Sequence, residues 1–224
     1  MNDSLDVFLL TFELALVTTL LLLCFGTPLA WWLANTTSRL KPAVMAMVML
    51  PLVVPPTVLG FYLLILLGPQ GWGGQLMLAL GLDTLTFSFS GLVIASLIYS
   101  LPFMVQPLKT AFESVIRSRL LDVAATLSAG PLDRFFSVVV PMCYGGFLTA
   151  MVLVFAHTLG EFGVVLMIGG NIPGETRVVS IAIYDLVESQ QYAQAHIMAA
   201  SMLLISFLMM FALYRLIYQP GKRR

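Results

Sequence analysis

Very few residues able to do chemistry stand near one another in this chain. Its two histidines, His157 and His196, are isolated, and no His, Asp or Glu group has the spacing of a metal-ligand set or an acid–base pair. Cys24 and Cys143 fall in apolar segments, where an inert buried thiol is expected rather than a disulfide or a metal ligand. A phosphate-cradling G-x-x-x-x-G-K-[ST] loop is missing, and the single Gly-Lys pair, Gly221 with Lys222, sits in a basic tail. An enzyme would need convergent polar groups that the sequence does not offer, so the chain is expected to be non-catalytic, with no metal and no cofactor of its own. Its polar residues can still dock against a partner and move, and they gather in two stretches, residues 117–141 and 159–196.

The first stretch, RSRLLDVAATLSAGPLDRFFSVVVP, is the longest piece that looks built to stay in water. Arg117 and Arg119 open it, and Leu120, Ala124 and Leu127 then recur at helical spacing, which predicts one amphipathic helix over residues 117–127. Ala124, Ala125, Ser128 and Ala129 are small enough to let another surface approach the backbone. Gly130 is expected to close the helix in the left-handed conformation and Pro131 to open the next, with Asp133 favoured in its first turn by the helix dipole. Counting from Asp122, a small pair follows at Val123 and Ala124, Ser128 stands six positions on, Gly130 eight and Pro141 nineteen. This spacing resembles the cytoplasmic "EAA" motif of ABC importer permeases, a helix that inserts into a groove of the ATPase subunit. Asp122 stands where that motif usually has Glu, Val123 where it has Ala, and Ser128 where it has Gly. The resemblance implies that Asp122, Ala124, Ala125, Ser128, Gly130 and Arg134 couple the chain to an ATPase.

The elements that must position these stretches are membrane helices. A chain of 224 residues that is 59% hydrophobic and 10% charged lies far outside the range of soluble domains. One all-α integral membrane domain, 1–224, is expected, because no linker, low-complexity tract or repeat divides it. Its spans are placed at residues 8–34, 43–67, 89–108, 138–159 and 197–218, with a cytoplasmic coupling loop at 109–137. The start, MNDSLDV, is acidic and lacks the positive n-region of a signal peptide, so the first apolar segment should remain as a span. Glu13 is expected near the interface at its outer end, and Trp31 and Trp32 in an aromatic belt at the other. Pro51, Pro55 and Pro56 must kink or break the second span, either for packing or as a hinge along a solute path. Gly145 and Gly146 would permit close helix contact in the fourth. Residues 68–88 read as a Gly-rich loop whose apolar piece at 76–82 is too short to cross.

Orientation follows from the basic residues. With the coupling loop cytoplasmic, five spans place the N-terminus outside and the C-terminus inside. Arg39, Lys41, Lys109, Arg117, Arg119, Arg134, Arg215, Lys222, Arg223 and Arg224 then lie inside, ten of the eleven Lys and Arg, and Arg177 alone lies outside. The zero net charge gives a nucleic-acid partner no electrostatic support.

The second stretch, residues 159–196, alternates apolar pieces with tight turns. Residues 162–168 are too few to cross and are bounded by Gly160, Gly163, Gly169 and Gly170, which predicts a segment that enters the membrane or lies on other helices and turns back. A turn follows at Asn171, Pro173 and Gly174, then Glu175 and Arg177. A gate at the outer mouth is expected from this stretch, and the pore hinge or gate candidates are Pro55, Pro56, Glu161, Gly163, Asn171, Pro173, Gly174, Glu175 and Arg177. As the lone outer cation, Arg177 can attract an anion or pair with Glu175 or Glu161.

LPLVVPPTVLGFYLL, LPFMVQPLKTAFESV, TLSAGPLDRFFSVVVP and LGEFGVVLMIGGNIPGETR together resemble the permease subunits of bacterial molybdate ABC transporters, from about Phe25 to the last span. NIPGETR, Asn171 to Arg177, points to molybdate, whereas LGEFG is shared with the sulfate permeases. The resemblance implies a type I ABC importer permease fold in the bacterial inner membrane. It further implies a homodimer of this chain around a pore, two ABC ATPase subunits that hold the ATP and Mg, and an extracytoplasmic oxyanion-binding protein. Transport of molybdate from periplasm to cytoplasm by alternating access is the function implied. The alternatives are a permease for tungstate or sulfate, and an ion-coupled secondary transporter, for which the spans offer Glu13 as an ionisable residue.

Overall fold

The computed structural model describes residues 2–217, and these form helices joined by turns, with no strand among them. Three helices are long and apolar enough to cross a membrane, and two bent pairs bring the number to five if each pair is one span. Helix α1 (Asn2–Asn35) runs unbroken through Pro28. The hydroxyls of Thr11 and Thr19 on its packed face donate to the carbonyls of Val7 and Ala15, each at 2.7 Å, so they are satisfied without water. Tyr218 and the basic tail at 221–224 lie outside the described residues.

The stretch expected as the second span is broken rather than kinked. Helix α2 (Lys41–Met49) tightens into a 3-10 turn at Leu50–Leu52, the chain leaves helical geometry at Val53 to Pro55, and α3 (Pro56–Leu67) restarts with Pro55 at its N-cap. Two adjacent prolines supply no N–H to continue the ladder, and the piece Lys41–Leu52 meets the piece Pro56–Ala79 at 110°. The loop after α3 contains a further helix, α4 (Trp72–Ala79).

Helix α5 (Phe89–Arg117) is the axis of the fold, and it is longer than the span expected at 89–108. It continues nine residues into the segment read as coupling loop, despite Pro102 and Pro107, and is pinned there by a Lys109–Glu113 ion pair at 2.9 Å. The helix expected at 117–127, α6, is therefore only Leu120–Thr126. After it, α7 (Pro131–Arg134) runs through a π-turn at Phe135–Val139 into α8 (Val140–Met142). Pro141 cannot donate an N–H, and the preceding turn widens to accommodate it. A second bend, 73° at Cys143, separates this piece from α9 (Tyr144–Leu159). The residues from 138 to 142 thus belong to the bent lead-in, and the straight part of the fourth span is α9 alone.

The short α10 (Gly163–Gly169) turns back onto α3 and α5 and buries Val164, Val165 and Ile168, as the bounding glycines suggest. Helix α11 (Val179–Glu188) leads into the last span, α12 (Tyr192–Ile217), which starts a few residues before the expected 197. Two close approaches fix the stack. A Cβ at Gly146 would lie 2.6 Å from Ala111 Cβ, locking α9 to α5, and one at Gly60 would lie 2.7 Å from Met167 Cβ, locking α3 to α10. Trp31 is not a belt residue. Its ring meets Phe112 and Phe135 edge-on, with centroids at 5.3 and 5.4 Å, and with Phe147 it ties α1, α5, α9 and the coupling segment into one core. Cys143 is buried as expected, whereas Cys24 is exposed on the outer face of α1.

Candidate functional site

Two regions carry the polar residues singled out by sequence. The first is the coupling segment. Helix α6 hangs between two left-handed residues, Arg119 with φ 58° and Ser128 with φ 61°. At its C-terminal end the Ser128 N–H donates to Ala125 O at 3.0 Å and the Ala129 N–H to Ala124 O at 3.2 Å. This is the paired capping pattern in which the left-handed position is ordinarily glycine. Ser128, not Gly130, closes the helix; Gly130 is extended at φ −67°, ψ 164°.

No residue of α6 is buried. Leu121 alone leans on the aromatic core. Val123 and Leu127 are 56% and 78% exposed, and Leu132 beyond them 73%. Asp122, Ala125, Ser128 and Gly130 are exposed and Ala124 is half-buried, so five of the six expected coupling residues border one outward-facing apolar ridge. Arg134 differs: it is half-buried, and its Nε is shielded from solvent with no hydrogen-bond partner among the described residues. Asp133, next to it, accepts from Ser137 Oγ at 2.8 Å.

The second region is the joint between α9 and α10. Glu161 is 3% exposed, and its Oε2 accepts from Ser96 Oγ of α5 at 2.7 Å. Its backbone carbonyl accepts from Ser180 Oγ of α11 at 2.6 Å, and its Oε1 has no partner among the described residues. One turn earlier, His157 Nδ1 and Thr158 Oγ1 lie 2.9 and 3.1 Å from Ser100 Oγ, and the imidazole packs against the rings of Tyr99 and Phe103. His157 is thus not isolated. Gly163, beside Glu161, lies against the broken span: a Cβ there would be 2.8 Å from Pro56 Cβ. Pro55, Pro56, Glu161 and Gly163 therefore share one joint.

The remaining gate candidates form a separate turn. Thr176, fully buried, closes it by donating to Gly169 O at 2.7 Å and accepting from the Ile172 N–H at 3.1 Å. Asn171, Pro173, Gly174 and Glu175 are exposed on its outer side, and Gly174 takes φ 80°. Arg177 pairs with neither Glu175 nor Glu161. It reaches Asp185 on α11 at 3.2 Å and Asn171 Oδ1 at 2.5 Å, because Glu161 is held inward by Ser96 while Asp185 faces back along α11. Partnered by Asn171 and Asp185, Arg177 braces the turn.

The sequence reading missed the Ser96–Glu161 and Ser100–His157–Thr158 contacts. Their signal was present: Ser96 and Ser100 stand four apart on α5, as do His157 and Glu161 on the facing segment. No group of three or more His, Cys, Asp or Glu able to hold a metal occurs among the described residues.

Comparison with known proteins gives a consistent answer. The chain is 64% identical to the molybdenum transport system permease protein of Azotobacter vinelandii, over 92% of its length and 90% of the relative's. It is 36% identical to the protein of the same description in Escherichia coli strain K12, over 81% and 79%. Against the probable sulfate transport system permease protein of Chlorella vulgaris, identity is 30% over 91% and 76%. The crystal structure of a bacterial alginate ABC transporter with its alginate-bound periplasmic protein contains a chain of the same fold, with TM-score 0.76 at 17% identity over 99% of this chain and 81% of that one. The model of the binding-protein-dependent transport system inner membrane component matches residues 26–219, and the chain belongs to that family, the permease subunits of ABC importers.

Proposed function

We propose that this chain is the pore subunit of an ATP-driven importer that carries molybdate from the periplasm into the cytoplasm. As a member of its family it is a non-catalytic, multi-pass permease of the inner membrane that works with an ATPase and a periplasmic binding protein. The observation that carries the substrate is the 64% identity to a molybdenum permease, against 30% to a sulfate permease over a similar share of the chain.

The finer assembly is a dimer of this chain around the pore, with an ATPase subunit, holding ATP and Mg, docked on each α6. The coupling loop faces the cytoplasm, so the N-terminus lies outside and the C-terminus inside; the excess of basic residues on that side supports this orientation. The exposed ridge of Val123, Ala124 and Leu127, flanked by Asp122, Ala125, Ser128 and Gly130, would fill the ATPase groove. ATP can bias the pore only through its different affinity for the two conformations. Helix α6 is the element that reads that difference, and the joint of Pro55, Pro56, Glu161 and Gly163 is the element that opens or closes. The turn carrying Asn171, Pro173, Gly174, Glu175 and Arg177 faces the delivering protein.

Uptake of labelled molybdate at nanomolar concentration, in cells with and without the chain and with excess sulfate or tungstate, tests the reading. Uptake should depend on the chain and survive sulfate, and tungstate competition sets its breadth. Loss of sulfate uptake with molybdate uptake unchanged would overturn the substrate. In the same cells Ala124→Trp should insert into the membrane and abolish uptake, and normal uptake by that variant would remove the docking assignment.

A further inference from the structure

A groove of about 870 Å³ runs between α1 and the segment from α7 to α9, walled by Cys24, Pro28 and Trp31 on one side and Phe136, Val140 and Met151 on the other. It is apolar except at two points. Arg134 Nε and Thr27 Oγ1 both belong to residues that line it, and both are shielded from solvent with no hydrogen-bond partner among the described residues. They are two of only four such side-chain atoms among those residues. Nε itself is closed off, so the half-buried guanidinium can meet the groove only through its other N–H groups; a cation beside hydrocarbon is costly, and an anion paired with it lowers the cost. The volume lies within the range of sites for small amphiphiles.

We infer that this groove is a binding site for an anionic glycerophospholipid. Its acyl chain lies along the Cys24–Trp31 face of α1, and its phosphate accepts from the Arg134 guanidinium. Hydrocarbon is the solvent that an open apolar groove meets in a bilayer, and a basic residue in a pocket between membrane helices selects the charged headgroup. The proposed orientation assigns the site to the cytoplasmic leaflet; the headgroup preference is independent of that assignment.

Trp31 forms part of the wall and serves as reporter once Trp32→Phe and Trp72→Phe remove the other indoles. The full chain with its ATPase partner is reconstituted in phosphatidylcholine vesicles, and phospholipid with brominated acyl chains is added as phosphatidylglycerol or as phosphatidylcholine. Half-quenching of Trp31 should need roughly fivefold less brominated phosphatidylglycerol, the enrichment expected of one arginine at a membrane surface. Arg134→Gln should abolish the difference and Arg134→Lys retain most of it. Equal quenching by the two lipids, a preference unchanged in Arg134→Gln, or no quenching by either because another subunit fills the groove, would each overturn the inference. Should the Gln variant fail to reconstitute, native mass spectrometry of the parent complex decides: retained phosphatidylglycerol supports the site, and its absence refutes it. Bromine in both leaflets makes the result insensitive to orientation, so a wrong topology and a wrong ligand fail separately.

Discussion

Replacing Ser128 isolates one backbone angle of the coupling segment. Its φ of 61° places it in the left-handed region, where a Cβ meets the following carbonyl, and the two capping hydrogen bonds from the Ser128 and Ala129 N–H groups require that conformation. Ser128 is exposed, so a change of side chain removes no packing. A non-glycine residue in this region costs about 1–2 kcal/mol, part of which glycine gives back as extra entropy in the uncapped loop. Ser128→Gly should therefore favour the capped form of α6 by about 1 kcal/mol. Ser128→Val, β-branched and least tolerant of positive φ, should disfavour it by about the same amount or more. If the ATPase reads the capped helix, affinity scales with the fraction of chains that are capped, so a change of about 1 kcal/mol tightens binding by at most about fivefold for Gly and weakens it by up to about fivefold for Val. Titration of the ATPase subunit onto the reconstituted chain, with Gly, Ser, Ala and Val at this position, measures it. The order Gly, Ser, Ala, Val supports the geometry. A flat series, or Val binding as well as Gly, would show that the docked loop does not use this cap.

Two further outcomes follow from contacts elsewhere. Thr176→Val keeps the shape of a buried side chain but strands Gly169 O and the Ile172 N–H, so thermal stability of the purified chain should fall by about 1–3 kcal/mol for each group, and Thr176→Ser should restore it; equal stability of Val and Ser would mean that the turn is held by other bonds. Spin labels at Met47 on α2 and Tyr62 on α3, both exposed, should change separation by about 5 Å or more on ATP binding, while a pair at Tyr62 and Ile98 on α5 stays fixed; the reverse pattern would refute the hinge at Val53 to Pro55.

The membrane helices were legible because hydrocarbon imposes long apolar runs, and the two breaks because proline removes donors at fixed positions. The ends were less legible. Helix α5 outlasts its apolar run by two turns, because Phe112 and Val115 still face the core while Lys109 and Glu113 pair on the other side, a periodicity that total hydrophobicity does not report. Gly130 was expected to cap α6 on composition, yet the hydrogen bonds place the left-handed residue at Ser128; spacing within the motif carried that information, and residue type did not. The partner of Arg177 could not be read from charge alone, since three acids were within reach in sequence and only packing turns Asp185 toward it. Trp31 looked interfacial because tryptophan is common there, and it became a core residue because Phe112 and Phe135 converge on it from different helices.

The contacts also restrict where motion between the proposed coupling helix and the proposed gate can occur. Leu121 of α6 leans on the core around Phe112, and α5 runs from there unbroken to Ser96, a distance of about 24 Å at helical rise. At the near end α9 is locked to α5 by the contact of Gly146 with Ala111, and at the far end Ser96 holds Glu161. A tilt of about 10° between α5 and α9 would displace their far ends by roughly 4 Å, more than a 2.7 Å hydrogen bond tolerates, so the two helices move as one body unless that bond breaks. Helix α10 continues that body through Glu161, and α3 joins it, because Gly60 and Gly163 bring α3 and Pro56 into van der Waals contact with α10. What remains without such a lock is the short link at Val53 to Pro55, where the Val53 and Val54 N–H groups turn back to Leu50 O and Pro55 and Pro56 carry no N–H to tie the two helices together. The break in the second span, rather than the glycine contact that it rests on, is the place where a rocking motion costs least.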